Sequence, residues 1–127
     1  IWSIVGASPA SMVWLIDAWF GFQPRETLQK LLRQAGVEQV IEIWNHISPE
    51  LAVARYASRL ATRPPGHPGE EYLPELAQLA GRAQPMSLGP LLTIDQQRPL
   101  EITAVIHWLE GTISGQRTGL ANYAYPS

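Results

Sequence analysis

Three arginines, Arg55, Arg59 and Arg63, recur every four residues, so a helix through them presents all three guanidinium groups on one face. A guanidinium fork matches phosphate oxygens and can stabilise the charge of a transferring phosphoryl group. The same spacing also suits a solvated helix face pairing with Glu50 or other acids. A second candidate is Asp17, which closes the apolar run Met12-Val-Trp-Leu-Ile-Asp17. Open α/β sheets place their ligands at the carboxyl ends of strands, although a strand-end acid is also a simple helix cap. Asp95 closes the run Pro90-Leu-Leu-Thr-Ile-Asp95 in the same way and precedes Gln96-Gln97-Arg98.

Aromatic and imidazole groups accompany these charges. Trp19 and Phe20 follow Asp17 directly and can wall an acceptor pocket or belong to the core. His67 sits in Arg63-Pro-Pro-Gly-His-Pro-Gly69, where it can meet a phosphate or an acceptor, or simply face water. Arg82, on the next helix, is a further member of the arginine cluster. His46 and His107 read as structural, and Trp14, Trp44 and Trp108 as packing residues. Three scattered histidines make no metal site, and cysteine is absent, so thiolate ligands and nucleophiles are excluded.

The elements that must hold these groups follow from periodicity and punctuation. Met12–Asp17, residues 37–44 and residues 90–95 read as strands, the first having the profile of a buried parallel strand. Leu28, Leu31, Leu32 and Ala35 recur at helical spacing between Pro24 and a stop at Gly36. Ser48-Pro49-Glu50 opens a helix with a hydroxyl cap, a first-turn proline and a first-turn acid; it runs to about Thr62. Three prolines and two glycines make residues 63–69 a loop. Helices over 72–83 and from Pro99 to about Ile113 complete the series. Strands alternating with helices predict a layered α/β domain with a parallel sheet.

The whole chain sets outer bounds. Its 127 residues, 46% hydrophobic and 16% charged, suit one globular domain, and a net charge of -2 gives no footprint for nucleic acid or anionic lipid. The longest apolar stretch, residues 12–20, contains Asp17 and falls short of the ~20 residues that span a bilayer. The lack of cysteine is compatible with a cytoplasmic location.

Read in order, Leu15-Ile-Asp17-Ala-Trp-Phe-Gly-Phe-Gln-Pro-Arg25, Val40-Ile-Glu-Ile-Trp44, Ser48-Pro-Glu-Leu51, Arg55-Tyr-Ala-Ser-Arg59 and Leu92-Thr-Ile-Asp95 resemble the later half of P-loop phosphotransferases. The resembled group includes nucleoside-monophosphate kinases, gluconate-kinase-like enzymes, zeta toxins and related AAA-family ATPases. The resemblance covers roughly residues 10–111, and it implies a three-layer αβα fold with a parallel sheet of order 2-3-1-4-5. The three strands here would be the third, fourth and fifth, residues 55–72 the lid, and residues 114–127 a loose tail. It implies ATP with Mg²⁺ as cofactor and a small acceptor as substrate. Asp17 would organise Mg²⁺ or take the acceptor's proton, Arg59 and Arg63 would act on the transferred group, and Arg55, Arg82 and Asp95 would hold the nucleotide.

The family's G-x-x-x-x-G-K-[ST] loop is missing. The one lysine, Lys30, sits on a helix with no glycines before it, so the loop is expected upstream of Ile1. On that reading this chain alone is inactive. Lacking the first strand, it would leave unpaired strand edges and fold poorly. Two other readings stand beside it: a nucleotide-binding switch that transfers nothing, and a self-contained interaction domain.

Overall fold

The computed structural model describes residues 1–9, 11–19 and 24–115. The described chain is a small α/β structure with five α-helices and one two-stranded parallel sheet. In chain order these are α1 (Trp2–Gly6), α2 (Arg25–Gln34), β1 (Glu42–His46), α3 (Pro49–Ala57), α4 (Leu73–Arg82), β2 (Leu91–Asp95) and α5 (Ile102–Ile113). Single 3₁₀ turns occupy Leu60–Thr62 and Glu70–Tyr72. The described residues divide into two units, one within residues 1–42 with 85–92 and the other of residues 43–84 with 93–115.

In the first unit, α2 forms where the apolar spacing required it. Its end is a complete Schellman motif. Gly36, with φ of 68°, donates to the Arg33 carbonyl at 3.1 Å, and Val37 donates to the Leu32 carbonyl at 3.0 Å. Leu28 is 4% exposed and Val5 of α1 is buried. The helices approach closely at Gly6, where a Cβ would lie 3.3 Å from the Ala35 Cα. The approach to β2 is fixed by Glu42. Its carboxylate accepts from two successive backbone N–H groups, Met86 at 2.6 Å and Ser87 at 2.7 Å. Ser87 has φ of 52°, a conformation few side chains adopt, and Arg25 donates to its carbonyl at 2.7 Å. At Gly89 the backbone runs against the Val40 carbonyl so tightly that a Cβ would collide with it.

The second unit is built on α3 and α4, which pack together with Tyr56 and Leu79 buried; Val105 of α5 is buried in this unit too. The Ser48 hydroxyl accepts from the Leu51 N–H at 3.2 Å, the expected cap, with Pro49 in the first turn. The helices come together near Gly81, where a Cβ would stand in ordinary contact, 3.6 Å from the Pro49 side chain. β1 and β2 start level, with the Glu42 N–H donating to the Pro90 carbonyl. They end level, with the Gln96 N–H donating to the His46 carbonyl, each at 2.9 Å.

Three expectations are corrected. Met12–Asp17 forms no strand: among the described residues nothing pairs with it, and Val13 and Leu15 are 76% and 92% exposed. An apolar run signals burial potential, but a strand exists only where a partner backbone supplies hydrogen bonds. Trp14, expected in the core, is exposed with it. The strand expected over residues 37–44 is displaced to Glu42–His46, because Val37 is committed to ending α2. The helix expected to reach Thr62 ends at Ala57 and tightens into a 3₁₀ turn. Most of the tail assigned to 114–127 lies outside the described residues.

Candidate functional site

The polar groups of the second unit gather at the carboxyl ends of the two strands, where parallel sheets hold ligands. Gln96, the first residue after β2, is the centre of this arrangement. Its amide nitrogen donates to Asn45 Oδ1 at 2.9 Å, and its amide oxygen accepts from Arg55 at 3.2 Å. Its backbone carbonyl accepts a second Arg55 N–H at 2.8 Å. Two of the five guanidinium donors of Arg55 are thus spent on one residue 41 positions away. An open cavity of about 500 Å³ adjoins this clasp, lined by Ser48, Glu50, Leu51, Arg55 and Gln97 among others. Its lining includes both the Arg55 cation and the Glu50 anion.

Asp95 is turned to its own chain. One carboxylate oxygen accepts from the Gln97 N–H at 2.9 Å, and the other lies 3.5 Å from Arg98 Nε. This Asx turn closes the end of β2. Arg55, Gln96 and Asp95 therefore share the strand-end region.

The three arginines expected on one helical face do not converge. Only Arg55 lies within α3. Arg59, beyond its end, folds back to donate to the Arg55 carbonyl at 3.0 Å. Arg63 lies over the Tyr56 ring, 4.1 Å from its centroid. The cause is the early end of α3: once the helix tightens after Ala57, a four-residue spacing no longer describes one face. Arg82 donates back to the Gln78 carbonyl of its own helix at 3.4 Å.

Around Arg63 a second constellation forms. The Tyr56 hydroxyl donates to the Pro68 carbonyl at 2.9 Å, and the Tyr72 ring tilts against Tyr56 with centroids 5.5 Å apart. The Glu71 carboxylate accepts from the Gly69 N–H at 2.8 Å. That hydrogen bond, with a second from its own backbone, holds the Glu71 carboxyl below its ordinary range. His67 is exposed and lines an open cavity of about 450 Å³ with Arg63, Pro65, Gly66 and Glu70.

The remaining candidates belong elsewhere. Asp17 and Trp19 lie in the first unit, both exposed, on the segment that forms no strand. Phe20 lies outside the described residues. His46 and His107, read as structural, are both exposed side chains; at His46 it is the backbone carbonyl that holds β2. Among the described residues no three His, Asp or Glu side chains come together to hold a metal. No described helix is long and apolar enough to cross a membrane. Sequence reasoning missed Gln96, Asn45 and Tyr56. The first two carried no signal, since their partners are distant in sequence, and Tyr56, well before the loop in sequence, reads only as an apolar position of the helix.

No protein-family model, curated protein or solved structure matches this chain.

Proposed function

We propose that this chain is the later, nucleotide-binding part of an ATP-dependent phosphotransferase acting on a small acceptor, inactive without a phosphate-binding loop upstream of Ile1. The observation that carries the reading is the pairing of β1 with β2. The resemblance makes these the fourth and fifth strands of the order 2-3-1-4-5, which lie side by side and parallel, as β1 and β2 do. It also separates the third strand from them. The apolar segment Met12–Asp17 forms no helix and has no strand partner among the described residues, which is compatible with a third strand lacking its neighbours.

On this reading the acceptor hydroxyl oxygen attacks the γ-phosphorus, the bond to the β–γ bridging oxygen breaks, and ADP leaves. Asp17 takes the hydroxyl proton. Arg59 and Arg63 stabilise charge on the transferred group, and Arg55, Arg82 and Asp95 hold the nucleotide side. Trp19, Phe20 and His67 border the acceptor. The acids of the described residues form no metal cage, so no step is assigned to a metal they hold; Mg²⁺ would arrive on the nucleotide, bound by phosphates and water. Arg59 and Arg63 must also leave their present partners to act.

That last point favours one alternative, a nucleotide-binding switch without transfer, since the arginines rest in internal contacts. Transfer of labelled γ-phosphate from ATP to a panel of hydroxyl acceptors separates the two. The product of the whole reading frame is expected to transfer label and this chain alone to transfer none. Thermal stabilisation by Mg-ATP without transfer supports the switch. Neither stabilisation nor transfer in the whole protein overturns nucleotide binding altogether.

A further inference from the structure

The loop of residues 63–69 is fastened at both ends to one side chain. Arg63, where it begins, stacks on the Tyr56 ring, with its Cζ 4.1 Å from the centroid. Pro68, near its end, accepts the Tyr56 hydroxyl proton at 2.9 Å. Tyr56 itself is 7% exposed, and Tyr72 braces its ring at 52°. The residues between the two fastenings are exposed.

The loop's composition confines its movement. Pro64, Pro65 and Pro68 have fixed φ angles, which leaves Gly66 and Gly69 as the residues freest to rotate. Gly66 already sits at φ of 95°, following Pro65 in a tight turn. Two stiff segments joined at glycines and tied to one phenol form a strap. The strap and its flanks themselves form the open cavity of about 450 Å³ that Arg63, His67 and Glu70 help to line.

We propose that Tyr56 is the latch of this strap: its hydroxyl and ring together hold residues 63–69 in this shape, and their release frees the loop and reshapes the open cavity it forms. The geometry of the loop carries this inference, which stands whether or not the protein transfers phosphate. Tyr56 acts on the strap as a positioning residue and touches no reacting atom. The latch separates into two parts that substitutions can remove singly. Tyr56→Phe deletes the bond to Pro68 and keeps the ring under Arg63, whereas Arg63→Gln deletes the cation and keeps the hydroxyl.

Amide hydrogen exchange at Gly69, whose N–H donates to the Glu71 carboxylate just past the strap, and at Arg63, whose N–H donates to the Leu60 carbonyl, reads the release at both ends. Tyr56→Phe is expected to speed exchange at Gly69 about fivefold, the loss of one neutral hydrogen bond. Arg63→Gln is expected to produce a smaller increase. Tyr72→Phe, which keeps the bracing ring, should leave both amides unchanged. Exchange along α4 reports whether the fold itself has loosened, and it should not move in any of the three. Unchanged exchange at Gly69 in Tyr56→Phe overturns the latch. A rise spread evenly through α3 and α4 overturns it equally, because Tyr56 would then be a packing residue alone.

Discussion

The two units hold their apolar residues in opposite ways. In the second, buried Tyr56 and Leu79 lie on the packed pair α3 and α4, and polar clasps at Gln96 and Tyr56 tie the loops to those helices. In the first, Val5 and Leu28 are the buried apolar residues among those described, while Met12, Val13, Trp14, Leu15 and Trp19 are exposed on one short stretch. Soluble proteins scatter single apolar residues over their surfaces; a contiguous run of this kind marks a place made to be covered. The difference is one of placement: the second unit spreads its exposed Ile102, Ile106 and Ile113 along α5, whereas the first gathers its exposed apolar residues on a segment with no strand partner among the described residues.

The two cores carry the largest expected effects. Leu28→Ala and Leu79→Ala should each destabilise by about 2–3 kcal/mol, the lower part of the range for buried leucines, because both cores are thin. Exchange should separate them, with Leu28→Ala releasing the amides of α2 and Leu79→Ala those of α3 and α4. If either substitution releases all of these amides together, the two units are one cooperative body and the contrast fails.

Gly89→Ala comes next, at about 2 kcal/mol by chemical denaturation, because its Cβ meets the backbone carbonyl of Val40 and neither chain can yield cheaply. Ser48→Ala should remove about 1 kcal/mol by unbinding the Leu51 N–H at the start of α3. The Glu71 contact is smaller and pH-dependent. A carboxyl held below its ordinary value of 4.5 stabilises fully above that value and loses its contribution as the pH falls through its lowered pKa. Acidification below pH 4.5 should therefore speed Gly69 exchange relative to α4, after correction for intrinsic rates. Leu15→Ser should change stability least, by less than about 0.5 kcal/mol, since the side chain is 92% exposed. A large loss there would mean that Leu15 is already covered.

Local signals in the sequence were reliable where a structure closes on itself. Gly36 as the stop of α2, Ser48-Pro49 as the start of α3 and the β2 run ending at Asp95 all needed only near neighbours, and each formed as expected. Met12–Asp17 failed for the converse reason: its pattern specifies burial, and burial requires a surface the sequence stretch does not contain. The candidate site was legible in part. Arg55 was found by its spacing, but its partner Gln96 lies 41 residues away with no pattern joining them. Arg59 and Arg63 were assigned to a face that vanished when α3 ended at Ala57. The anchoring of the Pro/Gly loop by Tyr56 depends on tertiary contact and escaped notice.

On the function proposed above, the exposed segment Met12–Asp17 would lie beside strands encoded upstream, together with a phosphate-binding loop. Reading the coding sequence immediately before Ile1 tests this most directly. The account predicts an in-frame apolar strand followed by G-x-x-x-x-G-K-[ST] within about a hundred codons. A start codon directly before Ile1 would contradict it, and Asp17 and the arginines would then require a different chemistry.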